Sequence, residues 1–168
     1  MVDATGLELI AHALRARLGD DAVTGTTYHR TQATVEVAPA AVEDAVRFLA
    51  READDRFEFL ASLHGCDYFP DEPRLSVHYQ LLSMERQERV CVKTRMTIEQ
   101  AELPSVAGLF PGANFQEREV YDMFGVVFSG HPDLTRILMP DDYAGHPQRR
   151  DFPIGGEEVR FTYNQDAP

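Results

Sequence analysis

A chain of 168 residues, 43% of them hydrophobic, is long enough for one domain with a substantial core. Its formal net charge of −12 argues against holding nucleic acid or an anionic membrane face by bulk charge. No apolar run reaches the length of a membrane span, and the first residues lack the basic-then-apolar pattern of a secretion signal.

The first predicted element is a helix over residues 5–18. Thr5 is the expected cap, Leu7, Ile10, Ala11, Leu14 and Leu18 fall on one stripe, and Gly19 ends it. Strands follow near Ala22–His29 and Thr31–Val37, the second with Ala33, Val35 and Val37 alternating against polar neighbours. Pro39 opens a second helix that buries Val42, Ala45, Val46 and Leu49. Three longer strands are then expected. In Phe57–Tyr68 the shared face is Phe57, Phe59, Ala61 and Leu63. In Arg74–Ser83 it is Leu75, Val77, Tyr79 and Leu81. In Glu88–Met96 it is Val90, Val92, Thr94 and Met96. Residues 97–103 read as a connector and Ser105–Phe110 as a short helix. This order predicts an α+β fold, a two-layer sandwich with helices packed on a mixed, largely antiparallel sheet. The expected division is an α+β domain over 1–112 and, over 113–168, a helix plus an extended C-terminal docking segment.

Residues 114–151 stand apart. Asn114 and Glu117 have capping-box spacing. Glu117, Val120, Tyr121 and Phe124 share a face, Arg118 and Asp122 are spaced to pair, and Gly125 suits a left-handed cap. Beyond Val126–Phe128 the prolines and glycines predict irregular coil. A long coil rich in Arg, Asp and His yet carrying Leu134, Ile137, Leu138, Met139 and Tyr143 is expected to complete its core on another chain.

The chemistry-bearing residues have bland readings beside sharper ones. His131 and His146, with Asp133, Asp141 and Asp142 nearby, could ligate a metal; lying in Gly-His-Pro tripeptides, they read better as structural histidines. Glu117 and Glu119 are two apart and so point to different sides of a helix, against a paired acid–base role. His64 and Cys66 share a strand face, but no further group assembles around them as a nucleophile. Two cysteines, Cys66 and Cys91, cannot hold an iron–sulfur cluster that needs four thiolates.

The runs Glu117-Arg118-Glu119, Asp122-Met123-Phe124-Gly125, Gly130-His131-Pro132-Asp133-Leu134, Arg136 to Asp142, Gly145-His146-Pro147 and Arg149 to Pro153 resemble the 30 kDa (C-type) subunit family of NADH-quinone oxidoreductase, respiratory complex I. Thr135 departs from the pattern, standing where that family usually has a basic residue. The resemblance implies a non-catalytic subunit of the hydrophilic arm. It would lie on the cytoplasmic side of the cell inner membrane, bracing the hydrogenase-large-subunit-like quinone-site subunit (the 49 kDa type) beside other arm subunits. It implies no cofactor in this chain, with FMN, iron–sulfur clusters and quinone held elsewhere. The expected interface comprises Glu117, Arg118, Glu119, Tyr121, Asp122 and Phe124 on the helix. In the coil it comprises His131, Asp133, Arg136, Met139, Asp141, His146, Arg149, Arg150 and Asp151. Charge reversal at Arg136 or Arg150 is accordingly expected to harm assembly more than folding. The same role in a sister complex with a ferredoxin or deazaflavin donor, or in a membrane-bound hydrogenase, is the alternative within the family. A stand-alone metal-dependent hydrolase using His131 and His146 is the rival from another class.

Overall fold

The structure is a computed structural model that describes residues 2–53 and 56–153; residues 154–168, the far end of the expected docking segment, lie outside it. Helix α1 spans Ala4–Leu18 and buries Leu7, Ala11 and Leu14. Its cap is Asp3, not Thr5: Asp3 Oδ1 accepts from Gly6 N at 2.7 Å, the third helical residue, where a capping carboxylate reaches best. Strands β1 (Val23–His29) and β2 (Gln32–Val37) form a hairpin whose two turn residues, Arg30 and Thr31, both have positive φ. That backbone twist matches the strands without the usual Asn-Gly pair. Helix α2 (Val42–Arg47) follows a proline-led turn and continues as a wider turn through Glu52.

Strands β3 (Phe59–Asp67), β4 (Leu75–Ser83) and β5 (Glu88–Met96) complete a five-stranded sheet of order β1-β2-β5-β4-β3. Within that sheet only the β2–β5 pairing is parallel. The expected faces hold in β4 and β5. In β3 the expected face holds at Leu63, and at Phe57 just before the strand, but fails between them, where Leu60 is buried while Phe59 and Ala61 are exposed. An irregularity between Leu60 and Ser62 inserts one residue against β4, and a one-residue slip sends each side chain to the opposite face.

The expected connector contains strand β6 (Glu102–Pro104), which pairs in parallel with β7 (Val127–Ser129). The expected helix at Ser105–Phe110 is one turn, with Leu109 N and Phe110 N both donating to Val106 O, and Pro111 follows. Helix α3 (Ala113–Phe124) packs on β3, and Gly65 is where they meet: a Cβ there would lie 2.5 Å from Phe124 Cδ2. Val120, Met123, Phe124 and Phe128 belong to the same apolar cluster as Leu7, Val35, Tyr79 and Val92. Residue 112 therefore does not separate two cores. All three helices lie on the face of the sheet that holds this cluster.

Candidate functional site: a helix with a coil laid along it

Helix α3 starts at Gly112 without a side-chain cap, so the capping box expected of Asn114 and Glu117 does not form. Glu117 turns inward and is fully buried. Its Oε1 accepts from Val106 N at 2.7 Å and its Oε2 from Ser105 Oγ at 2.6 Å, which ties the turn before α3 to the helix. Burial raises its pKa, against the pull of those two donors and of His131. Gly125 ends the helix at φ +76°, as expected of a left-handed cap.

From His131 onward the coil retraces α3 from its first turn to its last. His131 Nδ1 accepts from Asp133 N at 3.0 Å, so the neutral ring carries its proton on Nε2, which donates to Asn114 O at 3.1 Å. Arg118 does not pair with Asp122. It donates from Nε to Thr135 O and from Nη2 to Arg136 O. Asp122 is fully buried, and its Oδ2 accepts from the backbone N–H of Ile137, Leu138 and Met139 at 3.1, 2.8 and 2.8 Å. Its Oδ1 takes Arg136 Nη1 at 2.6 Å. Burial would raise the Asp122 pKa, but these four donors outweigh it and hold the carboxyl below its ordinary value. Arg136 uses Nη2 on Tyr143 O and Gly145 O. Near the helix end, His146 Nδ1 donates to Asp122 O at 3.0 Å, Gln148 N to Met123 O, and Arg149 Nε to Phe124 O at 2.7 Å. Tyr121 meets the His146 ring edge-on.

The coil's far end is clasped to the β3–β4 turn. Arg74, almost fully buried, donates to Asp67 on one side and to both carboxylate oxygens of Asp151 at 2.8 and 2.9 Å on the other. Arg150 N donates to Asp67 Oδ2, and Arg150 Nη1 to Phe69 O. Burial opposes ionisation of Asp67, yet Arg74 and the two backbone donors bring its pKa down to about 2.

The segment's cations thus face inward, onto carbonyls and carboxylates of this chain. Its outward surface is different. Phe115 and Leu138 are each 61% exposed, with Ile137 and Val127 also exposed. Glu119, Asp133, Asp141 and Asp142 lie at the surface among them. Glu117, Asp122 and Phe124 are enclosed by the chain's own atoms, and Met139 packs partly against the core.

The family described as Respiratory-chain NADH dehydrogenase, 30 Kd subunit, matches residues 35–158. The chain belongs to that family. It is 47% identical over 157 residues to the C-type subunit of NADH-quinone oxidoreductase from Roseiflexus sp. (strain RS-1), covering 94% of this chain and 90% of that relative. To the corresponding protein of Herpetosiphon aurantiacus it is 50% identical, over 71% of this chain and 70% of the relative. A solved structure titled "Nqo5 of the trypsin-resistant fragment (1-134) in P63 form" has the same α+β fold, with a TM-score of 0.62 at 32% identity over 76% of this chain and 98% of that one. A chain of a membrane-bound sulfane sulfur reductase, an archaeal respiratory membrane complex, shares the fold with a TM-score of 0.70 at 24% identity, over 88% of this chain and 85% of that one.

Within this family member, Arg74 and Asp67 are the site residues that sequence reading missed. They lie 77 residues or more before their partners in the coil, and the one local signal is an acid and an arginine flanking the turn between two strands. His131 and His146 do not converge, and among the described residues no group of three His, Cys, Asp or Glu is placed to hold a metal ion. Cys91 is a buried thiol whose pKa burial pushes up to about 11, opposite to what a nucleophile needs.

Proposed function

We propose that this chain is a non-catalytic, cofactor-free subunit of the hydrophilic arm of an NADH-quinone oxidoreductase. FMN, iron–sulfur clusters and quinone would belong to other subunits. In this reading the chain is peripheral, on the cytoplasmic side of the inner membrane, and it braces the hydrogenase-large-subunit-like subunit that bounds the quinone cavity. The observation that supports it most is the α3–coil ridge. Its arginines and Asp122 fix an otherwise irregular coil to a helix, and the ridge then offers apolar side chains and carboxylates to the outside. A coil held at its start, middle and end loses little freedom on docking, which favours a rigid contact. Docking would use exposed residues of the expected interface, Glu119, Asp133, Asp141 and Arg150, with the apolar residues beside them. Arg136, Arg149 and Asp151 would act indirectly, by shaping the coil.

The reading is tested by tagging this chain and purifying it from detergent-solubilised membranes. The expected result is co-purification of the quinone-site subunit with NADH-quinone reductase activity. Recovery of the chain alone, with one equivalent of bound zinc or iron, would overturn it in favour of the hydrolase.

A further inference from the structure

The sheet has two faces, and the described helices pack on one of them. On the other, register places one row of side chains across four strands: Glu36, Lys93, His78 and His64. On β5 that face also carries Arg95, the buried Cys91 and, beyond it, Arg89. Among the described residues no helix covers this face. Its charge runs against the rest of the molecule. The chain has 28 acidic and 16 basic residues, yet this patch holds three permanent cations and one carboxylate. That carboxylate, Glu36, is matched by Lys93 at 3.3 Å.

The cations are built in, not scattered. Lys93 Nζ and the Arg95 guanidinium both sit on the Tyr68 ring, 5.0 and 4.8 Å from its centre. Arg95 Nε and Nη2 are shielded from water, and among the described residues neither has a hydrogen-bond partner. His64 and His78 stack at 5.1 Å. Burial and the neighbouring cations bring the His78 pKa down to about 4, so the ring is neutral at physiological pH. Arg89 stands exposed next to Leu82, with Phe59 half exposed across the strand pair.

We infer that this open sheet face is a second docking surface, separate from the α3–coil ridge, and that it receives an acidic surface of a neighbouring subunit. The occupant is argued from charge: a protein of net charge −12 that keeps Arg89, Lys93 and Arg95 on a sheet face free of the described helices has a place for carboxylates there. The inference rests on the subunit reading for the existence of a neighbour, and on nothing else in it.

Lys93 is the single lysine of the chain, which makes the test specific. The purified complex is treated with a carbodiimide, which joins an amine to a carboxylate only when they touch, and the peptides are sequenced by mass spectrometry. The expected product is Lys93 linked to an Asp or Glu of another subunit. Lys93→Arg, which keeps the charge, should lose that product and stay in the complex. Arg89→Glu with Lys93→Glu should lower retention of the chain at physiological salt by about tenfold, with the circular dichroism of the free chain unchanged. A complex that contains the chain but yields only the internal Lys93–Glu36 link, or a link to a second copy of this chain, would overturn the inference and leave the subunit reading standing. Absence of the chain from the complex would sink the subunit reading itself.

Discussion

Asp122→Asn isolates the group that fastens the coil. The two side chains have nearly the same shape, but the amide has one acceptor where the carboxylate has two. Whichever way it turns, either Arg136 or the N–H groups of Ile137, Leu138 and Met139 face an NH2. Removing one member of a buried charge pair costs about 3–5 kcal/mol. At about 1.4 kcal/mol per tenfold, the open state of the coil should become roughly two to three and a half orders of magnitude more populated. Hydrogen exchange reads this directly. The amides of 137–139 should exchange at least about a hundredfold faster in the variant, while those of β4 change little, because opening is local. Acid should do the same to the native chain. Asp122 has a folded pKa below its unfolded one, so its contribution is present above about pH 4 and is lost as pH falls through the folded value. Exchange at 137–139 within tenfold of the native rate in Asp122→Asn would refute the claim that this carboxylate holds the coil.

Other outcomes follow from the same contacts. Arg136→Glu puts a second carboxylate against buried Asp122, so the free chain itself should lose about 3 kcal/mol or more of coil stability, measured by the same exchange experiment. Gly65→Ala drives a methyl into the Phe124 ring and should cost about 1–3 kcal/mol by urea titration, with Phe124→Leu recovering part of it. Glu117→Gln should change stability at neutral pH by less than about 1.5 kcal/mol, because the amide can still accept from Val106 N and meet the Ser105 hydroxyl. It should also flatten the pH profile. A carboxyl with a raised folded pKa binds its proton more tightly in the fold, so native Glu117 weakens the protein as pH rises from about 4.3 toward that value.

The sequence carried the fold well where one periodicity ran undisturbed. Strands β4 and β5 alternate without a break, and their inner faces were legible residue by residue. Strand β3 was misread because an inserted residue is invisible to a pattern of period two. Strand β6 was missed because a three-residue strand has no periodicity, and its partner lies beyond α3. The special character of residues 114–151 was legible from composition, but the destination of its charges was not. Arg118 and Asp122 have ideal spacing to pair along the helix, yet each is drawn off by backbone groups of the coil. A carboxylate that can collect three N–H donors in a buried place gains more than from one partly exposed arginine. The arginines expected to seek a partner's carboxylates therefore serve this chain, and reversal of Arg136 is predicted to harm folding, the opposite of the sequence-based expectation.

If the outward surface of the α3–coil ridge holds the chain to its neighbour, one exposed apolar side chain gives the sharpest test. Leu138 is exposed, and its backbone N–H can still reach Asp122 in Leu138→Asp. With the variant expressed in place of the native chain, solubilised membranes should give complex depleted of this subunit and reduced NADH-quinone reductase activity. The isolated variant should show native hydrogen exchange at 137–139. A complex that retains Leu138→Asp at native stoichiometry with full activity would contradict docking through this ridge.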